Sequence, residues 1–297
     1  MVQSSGRGDY VWFDGKIVPQ TEANVSLFTH ALSYGSSVFE GERAYNGIVF
    51  KSTQHSQRLI DSAKILDFDV PFTAAELDAA KTALIAKNKT PDIYFRALAW
   101  RGDEALGVSA QNNKIHVALL ALKWGNYFDA AQRMKGIKLD MAEYRRPDPM
   151  TAPSRAKAAG LYMICTISKH KAERKGYADA LMLDWQGRVA ECTGANVFFI
   201  KNGVVHTPIA DCFLDGLTRQ TVIEMLKKRG IKLEERRIMP DELESFEECF
   251  VTGSAAEIVP VSEIGSYNFV PGAISKTMID DYTALTHGTA TAQTSAA

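Results

Sequence analysis

Lys157 lies in the run Pro153-Ser154-Arg155-Ala156-Lys157-Ala158-Ala159-Gly160-Leu161-Tyr162. Two segments rich in glycine and hydroxyl residues follow it, Gly216-Leu217-Thr218 and Gly253-Ser254-Ala255-Ala256-Glu257. An amine, a phenol and two anion-type segments suit a pyridoxal phosphate (PLP) Schiff base. That cofactor needs an amine for its aldehyde, hydrogen bonds for its phenolate and phosphate, and an acidic partner for its ring nitrogen. A lone lysine in Ala-Lys-Ala-Ala more often solvates a helix face, so the neighbours give it its weight. Thr218 is placed to cap a helix from Arg219 to Arg229, and Ser254 to Glu257 has capping-box spacing. Helix starts gather free N–H groups and the positive end of the dipole, which suits a phosphate; ordinary capping explains either one alone. Glu191, in Gly187-Arg188-Val189-Ala190-Glu191, follows a hairpin strand. A carboxylate there is suited to keep a pyridine nitrogen protonated, against the plainer reading of a solvated strand-end glutamate. Tyr162 stands five residues after Lys157, which is not the same helical face. Both touch one cofactor only if the helix kinks or starts beyond Lys157.

These groups have to be positioned by a mixture of strands and helices. Val11, Phe13 and Ile17 around Asp14-Gly15-Lys16 predict a strand, turn and strand from Tyr10 to Ile17. Leu59, Ala63 and Leu66 predict a helix over Gln57 to Leu66, with Arg58 near its start. Thr73 to Glu76 reads as a capping box opening a helix toward Asn88, and strand-like runs follow at Ile93 to Trp100 and Ile115 to Leu122. A linker is placed near Asn126 to Lys135. A second strand-helix system begins at Ile137, with a helix from Lys157 to Gly176. Asp184-Trp185-Gln186-Gly187 and Lys201-Asn202-Gly203 are hairpin turn signals, which make this half mixed rather than doubly wound. A final strand runs from Cys249 to Thr252, and the small, polar tail after His287 reads as disordered.

Composition narrows the class. A length of 297 residues supports two domains, and a formal charge of −1 argues against the basic footprint of a nucleic-acid binder. Small ligands are the expected partners. The longest apolar run, Val117 to Leu122, is far too short to span a bilayer. The opening residues lack the apolar block of a secretory signal, so a cytoplasmic location is expected. Cys165, Cys192, Cys212 and Cys249 form no Cys-x-x-Cys, and no His-Glu-x-x-His occurs; buried reduced thiols and no metal are expected.

Further segments carry a resemblance. They are Tyr10-Val-Trp-Phe-Asp-Gly, His30-Ala-Leu-Ser-Tyr-Gly-Ser-Ser-Val-Phe-Glu-Gly, Arg58-Leu59 with Asp61-Ser-Ala-Lys, Tyr94-Phe95-Arg96 and Trp124-Gly125-Asn126-Tyr127. Ala156-Lys157-Ala158, Glu191 with Asn196, Gly216-Leu-Thr-Arg219 and Thr252-Gly-Ser-Ala-Ala-Glu257 complete the set. From Tyr10 to Tyr282 the chain resembles the branched-chain amino acid aminotransferases, members of the fold-type IV PLP enzymes. The resemblance implies a mixed α/β (α+β), two-domain fold with PLP in the cleft between domains. It places a small α/β domain at 1–125, a linker at 126–135, a large PLP-binding domain at 136–287 and the tail at 288–297. It makes Lys157 the Schiff-base and proton-transfer lysine, Tyr162 the partner of the phenolic oxygen and Glu191 the carboxylate at the ring nitrogen. Asn196 joins these as a cofactor-binding residue, and Arg58, Leu217, Thr218 and Ser254 resemble the phosphate contacts. The substrate pocket falls to Phe39, Tyr94, Arg96, Tyr127, Ser254 and Ala255, with Tyr34 and Val108 from a neighbouring subunit of a homodimer or higher oligomer.

The activity so implied is ping-pong transfer of an amino group from a branched-chain or aliphatic L-amino acid to 2-oxoglutarate. Within the fold, D-amino acid aminotransferase, (R)-amine transaminase and aminodeoxychorismate lyase are the rivals, and Arg96 with its aromatic neighbours favours the branched-chain reading. Three residues depart from the pattern: Leu161 where asparagine is common, Glu42 in place of an aliphatic residue, and Arg101, a charge in an apolar strand. The connection from Pro208 to Asp215 is short and lacks the proline usual before the glycine. Ser154 and Lys157 also spell Ser-x-x-Lys, an acyl-enzyme motif, but no Lys-Thr-Gly or Ser-Asp-Asn completes it. A non-catalytic anion-binding module is the remaining alternative.

Overall fold

The computed structural model describes residues 6–124 and 133–288. Tyr127, most of the expected linker and the tail beyond Gly288 lie outside the described residues. The chain divides into two compact units, one of residues 2–125 with 156–161 and the other of residues 126–155 with 162–297.

The first unit is built on a sheet of β1 (Gly6–Arg7), β2 (Tyr10–Phe13), β3 (Lys16–Pro19), β4 (Ser37–Tyr45), β5 (Ile48–Val49), β6 (Ile93–Arg101) and β7 (Ile115–Lys123). Its order is β3-β2-β7-β6-β4-β5, with β1 on β7. The expected first hairpin forms because Asp14 and Gly15 take positive φ values of 45° and 91°, the backbone of a two-residue turn that follows strand twist. β4 and β6 run antiparallel from Ser37↔Trp100 to Ala44↔Ile93. Partners across such a ladder share a face. Val38, Glu40, Glu42 and Ala44 therefore stand with Ala99, Ala97, Phe95 and Ile93, while Phe39, Gly41 and Arg43 stand with Leu98, Arg96 and Tyr94. The first of these faces packs into a core with Leu59, Ala63, Leu77 and Leu84 from helices α2 (Ser52–Ile65) and α3 (Ala74–Asn88). α1 (His30–Tyr34) is a single short turn of helix.

α3 opens on the expected capping box, Thr73 accepting from Glu76 N–H and Glu76 from Thr73 N–H. α2 begins a turn earlier than expected, so Arg58 sits in its interior. Its first turn escaped the apolar pattern because it is polar and used: Ser52, Thr53 and Ser56 donate to Asp78, and His55 meets Glu40.

In the second unit the strands are β8 (Ile137–Met141), β9 (Asp179–Leu183), β10 (Val189–Cys192), β11 (Asn196–Lys201), β12 (Val204–Pro208), β13 (Leu233–Arg236), β14 (Glu248–Gly253), β15 (Glu257–Ile264) and β16 (Tyr267–Asn268). Their order is β10-β9-β8-β15-β14-β11-β12-β13, with β16 on β15. Parallel pairs at β8–β9, β8–β15 and β12–β13 among antiparallel ones make the sheet mixed, as the turn signals predicted. Asn202 and Gly203, at φ 51° and 74°, close the β11–β12 hairpin. The core gathers Leu139, Leu181, Val197, Phe199, Ile238, Val251 and Val261. Helices α4 (Met163–Arg174), α5 (Leu217–Lys228) and α6 (Ala273–His287) complete the unit.

Three expectations about local structure are corrected. No helix starts at Lys157: a 3₁₀ turn covers Ala159–Tyr162 and α4 follows. Lys157 stands ahead of both because its backbone bonds go elsewhere. Its N–H donates to Ser62 Oγ, its carbonyl accepts from Phe39 N–H, and Ala158 bridges to Val38. Thr218 does not cap α5; the helix begins at Leu217 with Gly216 as its N-cap, and no side-chain cap bond forms. Ser254 opens no helix. Ser254–Ala256 is the turn joining β14 to β15, closed by the pair Gly253↔Glu257 with Glu257 at φ 61°. The capping-box spacing misled because Ile258, Val259 and Val261, β-branched at strand spacing, draw the chain into the sheet.

Candidate functional site

In the first unit, β4 pins the lysine. With both of its peptide groups bonded, to Phe39 N–H at 3.0 Å and to Ser62 Oγ at 3.0 Å, Lys157 has a fixed backbone, and its Nζ stands 4.9 Å from the Phe39 ring centre. Arg96, across the sheet, lies over the same ring at 4.7 Å and donates from Nη2 to Tyr94 Oη at 3.0 Å. The Tyr94 ring stacks on Trp124 with centroids 4.8 Å apart. Opposite Arg96 stands Gly41, where a Cβ would lie 2.2 Å from Tyr94 Oη, so the bare backbone makes room for the phenol. The structure thus brings Phe39, Tyr94, Arg96 and Lys157 together.

Arg58 belongs to the helix-covered face, where its Nε and Nη2 donate to the two oxygens of Glu40. Tyr34 and Val108 are 48% and 81% exposed, and neighbouring Leu27 and Phe28 are exposed too. The two charged departures, both in this unit, have partners within it. Glu42 accepts from Lys81 Nζ at 2.6 Å with both side chains buried, and Arg101 donates to the carbonyls of Ala110 and Asp67.

The second unit holds a separate polar group. Glu191 lies within β10 rather than after it, buried, with Oε2 accepting from Asn196 Nδ2 at 3.1 Å. Asn196 also donates to the Leu214 carbonyl at 3.0 Å, and a Cβ at Gly216 would meet its Oδ1 at 2.3 Å. The glycine preceding α5 and the partner of Glu191 therefore fit against each other. Glu191 Oε1 is 3.5 Å from Nε of buried Arg146, whose Nη1 reaches Cys165 Sγ at 3.3 Å. Burial works against the Arg146 charge, but its neighbours, Glu191 first among them, outweigh it and raise its pKa. Burial pushes the Cys165 thiol up to about 11, so it is a neutral neighbour. Leu217 and Thr218 are buried in the first turn of α5. Ser254 and Ala255 sit in the β14–β15 turn, and Glu257, which opens β15 just after it, is held by Arg133 Nη2 at 2.5 Å.

Residues 37–264 match the amino-transferase class IV family. The chain belongs to that family. A relative in Rickettsia bellii, named "Probable branched-chain-amino-acid aminotransferase", is 42% identical over 86% of this chain and 87% of its own. A solved branched-chain aminotransferase from the thermophilic archaeon Thermoproteus uzoniensis, with norvaline, superposes at a TM-score of 0.90, with 35% identity over 95% of this chain and 96% of that one. The branched-chain amino acid aminotransferase from Thermobaculum terrenum, in its PLP form, superposes at 0.87, with 27% identity over 96% of this chain and 95% of that one.

For this class IV amino-transferase the Ser-x-x-Lys reading has no support. Ser154 Oγ is buried and makes no hydrogen bond among the described residues, so no base activates it. Sequence reasoning missed Glu40, Gly41 and Arg146. The signal for Glu40 was present as a carboxylate in the strand run Val38-Phe39-Glu40; that for Arg146, in Tyr144-Arg145-Arg146-Pro147, was not distinguishable from surface charge.

Proposed function

We propose that the chain is a PLP-dependent aminotransferase that moves the amino group of branched-chain or aliphatic L-amino acids to 2-oxoglutarate. The observation that carries this reading is the backbone-pinned Lys157, with Phe39, Arg96 and Tyr94 on the sheet face beside its amine. The residues present fit the cofactor chemically. There is an amine, a guanidinium in Arg58, a helix start whose N-cap is a glycine closely packed on Asn196, and a buried carboxylate flanked by Arg146. The Arg146 Nε makes no hydrogen bond among the described residues. Names and ligands of the relatives support the same cofactor and substrate class.

Bound PLP supplies an electron-withdrawing ring that makes a substrate Cα–H acidic. Lys157 Nζ would hold the cofactor by its aldehyde and would serve as the base that moves the substrate Cα proton. Glu191, fixed by Asn196 and Arg146, would keep the ring nitrogen protonated. Tyr162 meets the phenolic oxygen. Arg58, the amides of Leu217 and Thr218, and Ser254 would be the groups that take the cofactor's phosphate. Arg96 and the Ser254–Ala255 turn would take the substrate carboxylate, while Phe39 and Tyr94 would line the aliphatic side chain. Each half-reaction leaves Lys157 ready for the next substrate, which gives ping-pong kinetics.

Tyr34 and Val108 act from a second copy of the chain. The exposure of Val25, Leu27, Phe28, Leu32, Leu106 and Val108 supports a homodimer, because so much apolar surface in one unit is unusual on a monomer. The four cysteines, all buried and free, suit the reducing cytoplasm. No helix among the described residues is long and apolar enough to cross a membrane.

The test is a donor panel of L-leucine, D-alanine and (R)-1-phenylethylamine with 2-oxoglutarate, alongside borohydride trapping of the cofactor and light scattering. L-leucine should be the preferred donor, the reduced label should fall on Lys157, and the particle should have twice the chain mass. A preference for D-alanine, equal use of the amine, or a label on another lysine overturns the reading.

A further inference from the structure

We infer that Glu40 is a positioning residue for the phosphate end of the cofactor, acting by fixing the guanidinium of Arg58. The inference rests on the proposed role of Arg58. Glu40 is fully buried in β4, on a face it shares with Glu42 and with the apolar Val38, Ala44, Ile93, Phe95, Ala97 and Ala99, where a carboxylate is unfavourable unless saturated with donors. It is saturated. Oε1 accepts from Arg58 Nε at 2.6 Å, and Oε2 accepts from Arg58 Nη2 at 2.9 Å, His55 Nδ1 at 2.7 Å and Gly41 N–H at 3.3 Å. Burial works against its charge, but Arg58 and His55 outweigh it and hold the carboxyl well below the usual carboxylate range.

The two-oxygen contact runs along one edge of a planar guanidinium, so it sets the plane of Arg58 and not only its distance. The neighbouring pair Glu42–Lys81 shows what a sealed ion pair looks like here: its side chains are 0% and 1% exposed. Glu40 is sealed in the same way, whereas the Arg58 side chain keeps 17% of its surface exposed. The carboxylate is thus the fixed half and the guanidinium the half that reaches out of the core, as an anion-binding arginine must.

Strand β4 also couples this anchor to the amine. Phe39 N–H holds the Lys157 carbonyl, and the next residue holds Arg58. Successive residues in a strand point to opposite faces with a rise of about 3.3 Å, so one rigid segment sets the spacing between the groups assigned to the aldehyde and to the phosphate. His55 Nδ1, donating to the same Oε2 that Arg58 Nη2 holds, resists rotation of the carboxylate away from Arg58.

The test compares PLP with pyridoxal, which has the aldehyde and ring but no phosphate. Dissociation constants for both, and the thermal midpoint without cofactor, are measured on the full chain for Glu40→Gln, Glu40→Asp, Arg58→Ala and Glu40→Gln/Arg58→Ala. Removing one charge-assisted bidentate pair should weaken PLP by about tenfold or more in Glu40→Gln, and leave pyridoxal within about twofold. Glu40→Asp, which keeps the charge and the fold but shortens the reach, should show the same selective loss in smaller measure. The double variant should be no weaker than Arg58→Ala alone, since both changes remove one interaction. Unchanged PLP affinity in both Glu40 variants, or an equal loss for PLP and pyridoxal, overturns the inference. If Arg58→Ala itself retains PLP as tightly as the parent, the phosphate role of Arg58 falls and takes the inference with it. A weakened Arg58→Ala beside unaffected Glu40 variants sinks the positioning role alone.

Discussion

Replacing Lys81 by methionine should destabilise the first unit by about 3–4 kcal/mol, and replacing Glu42 by leucine at the same time should recover most of that loss. The Glu42 side chain is 0% exposed and Lys81 1%, and their contact is 2.6 Å. Only Oε2 is bonded; Glu42 Oε1 has no hydrogen-bond partner among the described residues. With Lys81 gone, the carboxylate either stays charged in the core or takes up a proton. Proton uptake at pH 7 against an ordinary pKa of 4.5 costs roughly 3.4 kcal/mol at about 1.4 kcal/mol per pH unit, which limits the charge-burial part of the loss. Breaking buried pairs elsewhere costs about 3–5 kcal/mol, and apolar replacement of both partners is often neutral. Glu42→Leu alone should cost less, because Lys81 keeps Ser56 Oγ at 2.7 Å and Asp78 at 3.4 Å. Denaturant unfolding followed by tryptophan fluorescence in a Trp185→Phe background reports on this unit, which holds the remaining tryptophans Trp12, Trp100 and Trp124. Transamination should survive in the double variant, since Glu42 pairs with Phe95 on the face opposite Arg96. A loss below about 1 kcal/mol in Lys81→Met, or a double variant as unstable as the two singles combined, refutes the reasoning.

Three further outcomes are expected. Glu191→Gln should retain PLP and lose most turnover in single-turnover assays, because an amide cannot hold the ring nitrogen charged; near-parent rates would move that role to another residue. Gly41→Ala should raise KM for L-leucine and destabilise by about 1–3 kcal/mol, because its Cβ falls 2.2 Å from Tyr94 Oη and the displaced phenol drags Arg96 with it; unchanged KM would show that Tyr94 yields without Arg96. Burial opposes the charges of Glu40, Asp78 and Asp14, but their partners hold all three pKa values below the ordinary 4.5, 3.8 and 3.8, so their stabilisation is present above those values and lost as pH falls below them. The thermal midpoint should therefore drop steeply below about pH 4.5 and somewhat less steeply in an Asp78→Asn variant; identical slopes would remove Asp78 from the set.

The legible parts of the sequence were those where one local rule decides the structure. Asp14-Gly15 and Asn202-Gly203 fixed hairpins because few other residues tolerate positive φ, and Thr73 with Glu76 fixed a helix start because both halves of the cap are local. Lys157, Arg96 and Glu191 stood out through motif, and the first two share a unit with their expected neighbours. What escaped depends on tertiary pairing. The first turn of α2 is polar because Asp78 and Glu40, distant in sequence, receive its side chains. Glu42 read as an anomaly until Lys81 was seen beside it. Ser254 obeyed a local rule that the pairing of β14 with β15 overrode.

The return of residues 156–161 to the first unit has a consequence for how the chain is made. On the ribosome, β1 to β7 emerge well before the stretch that bridges Val38 and bonds Phe39 and Ser62. That stretch follows about 36 residues later, roughly 2–7 s at about 5–20 residues per second. In that interval the newborn sheet has a strand edge with no occupant and a serine with no amide to receive. Cutting the gene after residue 125 makes this interval permanent, so a fragment ending there should be prone to aggregate even though every one of its helices and strands is present. Neither unit is a cassette that can be lifted out by its boundaries, and insertion of a foreign domain between residues 150 and 156 should harm the first unit more than its distance in sequence suggests.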